Sequence, residues 1–263
     1  MAYQDSPRDP AERSGSVPPR ELRAFFSGHR QTSRRLSSGE FVQVPLFFWG
    51  DGILGLNGFV PLAIAIPFLQ RLGKKPLVLP GPAGPAALAG IMSPSYSGSS
   101  AGPYRSFFFG LFVDDPGWSP GRPAPGFQFI QFYDSTRLST TAGELWGLGK
   151  IHARVTSEYG RMQRKAAMEF ESRTMVSLTW RLDDAQLRAV ASEKRFHNFP
   201  ESGAAGARIL VVGSDVTSPF RPNVDEYFFD PKSRLGRALD EMRFSPRFWS
   251  FTGDVHGVYF LPE

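Results

Sequence analysis

The segment Ala142-Gly143-Glu144-Leu145-Trp146-Gly147-Leu148-Gly149-Lys150 concentrates more chemistry than any other stretch of this chain. Its pattern predicts a short helix that ends in a glycine-rich turn and delivers one lysine. A lysine held on a tight turn among apolar groups can shed its proton near neutral pH and attack a carbonyl carbon. Lys150 is therefore the candidate nucleophile. Tyr104, Arg105 and Ser106 lie in an upstream strand-like run and, with His152, are candidates for proton transfer or for contacts to a carbonyl or carboxylate. Side chains alternate along a strand, so if Tyr104 and Ser106 face a cavity, Arg105 faces away. Trp146, Met92 and Phe129 are candidates for its apolar lining. The bland readings are a lysine that complements a helix dipole and phenylalanines (24 in all) that simply fill a core.

Other chemistries find less support. The chain has no cysteine, which excludes disulfides, thiolate catalysis and Cys-ligated metals. His29, His152, His197 and His256 are isolated from one another, so no metal site is expected, and no cofactor. Gly50-Asp51-Gly52-Ile53-Leu54-Gly55 matches the dinucleotide-binding pattern. Gly58 and Pro61 break the helix that such a site needs, and no acid follows at the ribose-binding distance. Between Asp51 and Asp114 there is no acid at all, so a cavity walled by this half is expected to be apolar to mildly positive. Gly147-Leu148-Gly149-Lys150-Ile151 lacks the spacing and the hydroxyl residue of a phosphate-binding loop. The net charge of +5 comes from scattered arginines, and no nucleic-acid partner is expected. The apolar run Ile53 to Leu72 contains Asn57, Pro61, Pro67 and Gln70; it reads as buried core, with no membrane contact expected. No secretory signal is visible, and a cytoplasmic location is expected.

The elements that must position these residues are mostly short strands. Residues 1–40 are polar and Pro-rich and read as a flexible tail, in which Leu22, Phe25 and Phe26 can form one docking helical turn. Residues 41–263 read as a single domain. Strands are expected at Phe41–Trp49, Phe59–Ile66, Ala86–Met92, Ser106–Val113, Phe127–Tyr133, Ile151–Glu158, Arg164–Glu171, Thr174–Arg181, Ile209–Val216, Val224–Phe229 and Val255–Leu261. Phe68–Leu72 reads as a helical turn. Helices are expected from the Asp134-Ser135-Thr136 cap to Trp146, over Asp183–Glu193, and over Lys232–Met242. Along Phe127–Tyr133, Phe127, Phe129 and Gln131 alternate with Gln128, Ile130 and Phe132. The fold class is α+β, mainly β: a barrel or sandwich with added helices rather than a doubly wound sheet.

Gly102-Pro103-Tyr104, Tyr133-Asp134 and the Ala142 to Lys150 segment, in that order and spacing, resemble the acetoacetate decarboxylase superfamily. The Pro80-Gly81-Pro82 turn and the strand to Met92 also sit where a family member places them. The resemblance covers roughly residues 60–260. It implies a cone-shaped closed β-barrel with flanking short helices and a homo-oligomer. It also implies that Lys150 is the Schiff-base lysine. The departures are specific. The family's second lysine is Ile151 here, which leaves desolvation alone to activate Lys150. Its active-site glutamate falls on Ser106, its asparagine on Arg105 and its arginine near Gly58.

Three functions follow. The first is Schiff-base chemistry on a larger, mostly apolar carbonyl compound such as a polyketide or keto acid, in specialised metabolism. Decarboxylation, aldol cleavage, dehydration and cyclisation are the outcomes open to it. The second is a non-covalent cyclase or pericyclase whose cavity folds a polyene or polyketide. The third is a non-catalytic ligand-binding barrel. Acetoacetate itself is not the expected substrate.

Overall fold

A computed structural model describes residues 18–115, 124–182, 189–200 and 206–262. Arg20–Leu22 makes one 3-10 turn that runs into α1 (Arg23–Ser27). β1 (Thr32–Arg35) and β2 (Phe41–Val44) pair as an antiparallel hairpin. β3 (Leu46–Val60) is followed by α2 (Leu62–Gln70), β4 (Val78–Gly81) and β5 (Gly84–Tyr96). Then come β6 (Gly98–Ser99), β7 (Tyr104–Asp115) and β8 (Ala124–Asp134). α3 (Arg137–Ala142) and a 3-10 turn (Gly143–Trp146) lead to β9 (Ile151–His152). The second half holds β10 (Arg154–Tyr159), β11 (Gln163–Phe170), β12 (Arg173–Arg181) and β13 (Val190–Phe199). It closes with β14 (Ala207–Pro219), β15 (Glu226–Phe229), α4 (Arg234–Glu241) and β16 (Ser245–Tyr259).

The strands β3, β5, β7, β8, β13, β14 and β16 pair in that order, and β16 pairs back onto β3, which makes a ring. Every step is antiparallel except the short parallel pairing of β8 with β13. The sheet β10-β11-β12-β15 packs with α4 against one outer side of the ring.

Strand alternation divides the ring's side chains between two cores. On β7, Phe107, Phe109 and Leu111 join the outer core, with Leu178 and Trp180 of β12, Leu235 and Leu239 of α4, and Trp249 of β16. Tyr104 and Phe108 point the other way, toward an inner core containing Phe48, Tyr96, Phe129 and Val211.

Several sequence expectations need correction. Residues 20–35 are not a tail: they form α1 and β1, and Phe26 is buried against Phe47 and Trp49. The expected docking turn at Leu22, Phe25 and Phe26 is present. Phe59–Ile66 is not one strand, because β3 ends at Val60 and α2 begins at Leu62. Pro61 makes the switch: its carbonyl accepts from the Ile64 and Ala65 amides and opens the helix. β-Branched Ile64 and Ile66 suggest a strand, but Ala65 and Leu69, four apart, are the fully buried residues of this segment, with Leu62, Ile64 and Phe68 packed at the edge of the same outer core. The helix expected over Asp183–Glu193 lies partly outside the described residues. From Val190 onward the chain is β13, paired with Asp215 through Gly213 of β14, and Val190 is exposed. The Gly50 to Gly55 motif lies inside β3 and opens no helix. Among the described residues no helix is long and apolar enough to cross a membrane.

Candidate active site

The lysine-bearing turn forms as its sequence suggests. Thr136 caps α3 by accepting from the Ser139 amide at 3.2 Å. Gly147 ends the following 3-10 turn in the left-handed region, φ 65°. Its amide donates to Glu144 O at 3.1 Å, and the Leu148 amide donates to Gly143 O at 2.9 Å, which satisfies the last carbonyls. β9 then pairs parallel with the end of β8, placing Ile151 against Tyr133 and His152 against Asp134. That pairing brings Lys150 back beside Asp134. Gly143 leaves room for it: a Cβ there would meet Lys150 Cδ at 2.8 Å and Leu148 O at 2.9 Å.

Lys150 Nζ lies 2.6 Å from Asp134 Oδ2, with the lysine side chain 7% exposed and the aspartate fully buried. Nζ also donates to Ser139 O at 3.3 Å. The remaining capacity of Asp134 is filled by two hydroxyls: Ser139 Oγ donates to Oδ2 at 2.7 Å, and Ser106 Oγ donates to Oδ1. A buried carboxylate with three donors is satisfied, as burial requires. The amine lies 4.6 Å from the Phe132 ring centre and 5.7 Å from that of Tyr104. The desolvation-only setting expected for Lys150 is therefore incorrect: its immediate neighbour is a carboxylate.

Asp134 reaches this place through a defect in β8. The β7–β8 register shifts at Phe109/Gly110, so Ile130 has no partner and the strand bulges. Phe127 and Phe129 face Phe112 and Gly110 before the bulge; Phe132 and Asp134 face Phe108 and Ser106 after it. All four thus point to the inner side, and the single alternation expected for Phe127–Tyr133 fails at Ile130. From the sequence alone, Asp134 reads as part of a helix cap. The signal that could have exposed it is Tyr133-Asp134 itself, an acid at the end of an apolar strand.

Two neighbouring spaces are lined by the strands of the ring. The inner pocket, about 70 Å³, is lined by Lys150, Tyr104, Ser106, Trp146 and Phe129, together with Tyr96, Tyr259 and Asn198. A larger chamber of about 830 Å³ is lined by Met92, Leu88, Phe112, Phe127 and Phe248 on its apolar side, and by Asn57, Ser250, Thr252 and Lys194 on its polar side. Ile53, Phe108, Val211 and Asn198 line both and form a collar between them. Lys194 is held by Asp215 at 2.7 Å and Thr252 at 2.9 Å.

Of the residues expected from sequence, Lys150, Tyr104, Ser106, Trp146 and Phe129 converge on the inner pocket, and Met92 lines the outer chamber. Arg105 and His152 do not join them. Arg105 is exposed and donates to Ser157 Oγ at 2.9 Å, as the alternation around Tyr104 and Ser106 predicts. His152 is exposed because β9 turns its side chain outward. Tyr96, Tyr259 and Asn198 were not singled out by sequence, since no local motif marks them. Burial, then the nearby Tyr96 and Asp134 groups, pushes the Tyr104 hydroxyl well up; burial and the Asp134 charge do the same to Tyr96. Burial also raises Tyr259, with Asn198 opposing and Asp134 adding to the rise. These phenols stay protonated and can donate hydrogen bonds.

The turn is braced from outside. Glu144 Oε1 accepts from the Ser37 amide at 2.6 Å and Oε2 accepts from Ser37 Oγ at 2.5 Å. These bonds hold the Glu144 carboxyl below its ordinary value.

No protein-family model and no curated protein sequence matches this chain. Solved structures do. Acetoacetate decarboxylase from Legionella pneumophila subsp. pneumophila str. Philadelphia 1 superposes with a TM-score of 0.57 at 10% identity, over 83% of this chain and 86% of that one. The enduracididine biosynthesis enzyme MppR, with HEPES buffer bound, gives 0.51 at 14% identity, over 83% and 85%. Another acetoacetate decarboxylase gives 0.50 at 13% identity, over 83% and 87%. At such identities the likeness is one of fold, and it bears out the resemblance read from the lysine turn: this chain has the acetoacetate decarboxylase fold.

Proposed function

We propose that this protein is an enzyme acting on a larger, mostly apolar carbonyl compound, with Lys150 as its Schiff-base lysine. The observation that carries this reading is a nearly buried lysine in an aromatic-lined pocket with a buried carboxylate 2.6 Å behind it. The ring of strands serves as a barrel wall around the reacting carbonyl.

The chemistry balances within the residues present. Lys150 Nζ passes one proton to Asp134 Oδ2, and the freed lone pair attacks the carbonyl carbon. As the C–N bond forms, the carbonyl π pair moves onto oxygen, which takes the proton back from Asp134. A second nitrogen proton reaches the same oxygen by way of Asp134 and Ser106. The C–O bond then breaks and water leaves. An ammonium and a carbonyl have become an iminium and water, and Asp134 is again a carboxylate. The iminium accepts an electron pair from a bond at the neighbouring carbon, the step common to decarboxylation, retro-aldol cleavage and dehydration.

A chamber of about 830 Å³ is of the size that holds drug-sized ligands and exceeds what a small keto acid needs. With Arg105 turned outward and Ser106 where the family has a glutamate, acetoacetate lacks its carboxylate contacts. A role in specialised metabolism fits such a cavity.

The ion pair itself supports a second reading. A lysine paired to a carboxylate is a hydrogen-bond donor, and Lys150 can polarise a carbonyl without a covalent step while the chamber folds a polyene or polyketide.

Borohydride trapping distinguishes them. The protein is incubated with an aryl-substituted methyl ketone and borohydride, and the adduct is located by mass spectrometry. A reduced adduct on Lys150 is expected. A compound that turns over without one removes the covalent reading, and turnover that survives Lys150→Ala supports the second.

A further inference from the structure

The residues that line the outer chamber form two unlike walls. β5, β7 and β8 supply an apolar one, with Leu88, Met92, Phe112 and Phe127. β13 and β16 bring polar side chains to the other: Lys194, Ser250 and Thr252. Lys194 Nζ donates to Asp215 Oδ1 at 2.7 Å and to Thr252 Oγ1 at 2.9 Å. Thr252 Oγ1 donates to the same carboxylate oxygen at 2.7 Å. Burial alone would raise Asp215, but the bonds from Lys194 and Thr252 and the lysine's charge hold it below its ordinary value, so the pair is ionised.

One donor of this lysine is unused. An ammonium carries three N–H groups, and the protein takes two of them. The third has no partner among the described residues, and the Lys194 side chain, which lines the chamber, is 40% exposed. A partly exposed ion pair adds little to the stability of a fold, so holding the ring together does not account for these charges on the chamber wall. The charges also cancel. Asp215 balances Lys194, and Glu193 balances its neighbour Arg195, whose Nη2 lies 2.7 Å from Glu193 Oε1. Glu193, Lys194 and Arg195 are the charged residues lining the chamber. A spare N–H donor without net positive charge suits a neutral acceptor oxygen. A carboxylate would leave water with no surplus charge to receive it.

We propose that Lys194 anchors the far end of the substrate by donating its third N–H to a neutral carbonyl oxygen. The substrate is then a compound oxygenated at both ends: a reacting carbonyl at Lys150, an apolar body along Leu88, Met92, Phe112 and Phe127, and a second, unreactive carbonyl at Lys194. Asp215 and Thr252 are positioning residues that aim the amine. This rests on the reading of Lys150 as the residue that takes the reacting carbonyl, but not on a covalent step.

The probes are methyl ketones with a phenyl or a biphenyl body, each ending in a dimethylcarboxamide, an isopropyl group or a carboxylate. Binding to the full chain is measured by calorimetry. At the better of the two lengths the amide is expected to bind about tenfold more tightly than the isopropyl compound, the scale of one hydrogen bond to a charged group, and no less tightly than the carboxylate. In Lys194→Met/Asp215→Asn, which removes both charges together, the advantage of the amide is expected to vanish. In Asp215→Asn the lysine's charge is released, and the carboxylate is expected to overtake the amide; a pair that only stiffens the wall would leave that order unchanged. Equal binding of the amide and isopropyl compounds at both lengths overturns the proposal. So does an amide advantage that survives the loss of Lys194, or a carboxylate that binds the unaltered protein best. Borohydride trapping with the same probes reports Lys150 separately. An amide preference without an adduct removes the Schiff base and leaves this contact standing; an adduct without the preference does the reverse.

Discussion

Lys150 and Asp134 depend on one another more than either depends on the solvent. Removing one partner of a buried ion pair strands the other, at a cost of about 3–5 kcal/mol, whereas removing both can be nearly neutral. Lys150→Met and Asp134→Asn should therefore each lower unfolding stability, the former by about that much and the latter by stranding the lysine. The Lys150→Met/Asp134→Asn double variant should recover most of the loss, as measured by denaturant titration. An additive double variant would show that the pair is not energetically coupled. At the neighbouring glycine, Gly143→Ala places a methyl against the lysine stem and the Leu148 carbonyl. A cost of about 1–3 kcal/mol is expected from such crowding, with the yield of borohydride-trapped Lys150 falling more than bulk stability does. The lysine was legible because its turn is local: capping residue, helix and terminating glycine lie within fifteen residues of it. Asp134 was not, because its partners Ser106, Ser139 and Lys150 come from three separate elements.

For single elements the sequence told strands from turns well and failed where strand and helix share an apolar pattern. Ser106–Val113 and Ile209–Val216 lie within observed strands, and Arg164–Glu171 overruns its strand by one residue, Glu171, which is in the turn. Phe59–Ile66 fails because a proline divides it, and Val190–Glu193 because pairing with β14 overrides a helix-like spacing. The bulge at Ile130 is the least readable feature and the most consequential, since nothing in Phe127–Tyr133 announces an extra residue. Deleting Ile130 should close the register, with Phe129 and Gln131 adjacent opposite Gly110 and Phe109, and simple alternation then keeps Phe127, Phe129, Phe132 and Asp134 on the inner side. The expected result is that borohydride trapping at Lys150 is retained in the deletion variant. Loss of trapping in a folded deletion variant would show that the extra residue itself is needed to aim Asp134.

Across the whole molecule, two junctions hold the ring to its surroundings. Trp249 of β16 stacks on Trp180 of β12 at 5.9 Å and donates its indole N–H to Asp225 at 3.0 Å, joining the ring to the outer sheet. Trp249→Ala should cost about 3–5 kcal/mol, read as a fall in the denaturant midpoint. At the other junction, Phe25 of α1 meets the His256 ring edge-on at 4.7 Å. Burial, partly opposed by a bond to the Asp254 backbone, holds His256 below its ordinary value of 6.5. A base with a depressed folded value takes up protons more readily when unfolded. The stability it lends is therefore complete above about pH 6.5 and declines as the pH falls below that. Hydrogen exchange should show α1 loosening first as the pH falls below about 6.5, and His256→Phe should flatten that dependence. Equal loosening in His256→Phe would assign the effect to other groups. The barrel-like class was legible from many short strands. Which strands close the ring was not, because pairings such as β16 with β3 join residues some two hundred positions apart.

The two bonds from Ser37 to Glu144 have a practical consequence for anyone shortening this chain. A truncated protein starting at Phe41, where composition first turns apolar, would keep every residue of the inner pocket. It would still lose the hairpin turn that grips Glu144, six residues before the lysine, along with the α1 aromatics that cover Phe47 and Trp49. Such a protein would carry the full set of reactive groups on an unbraced loop. A failed assay of it would report on the missing forty residues rather than on the chemistry.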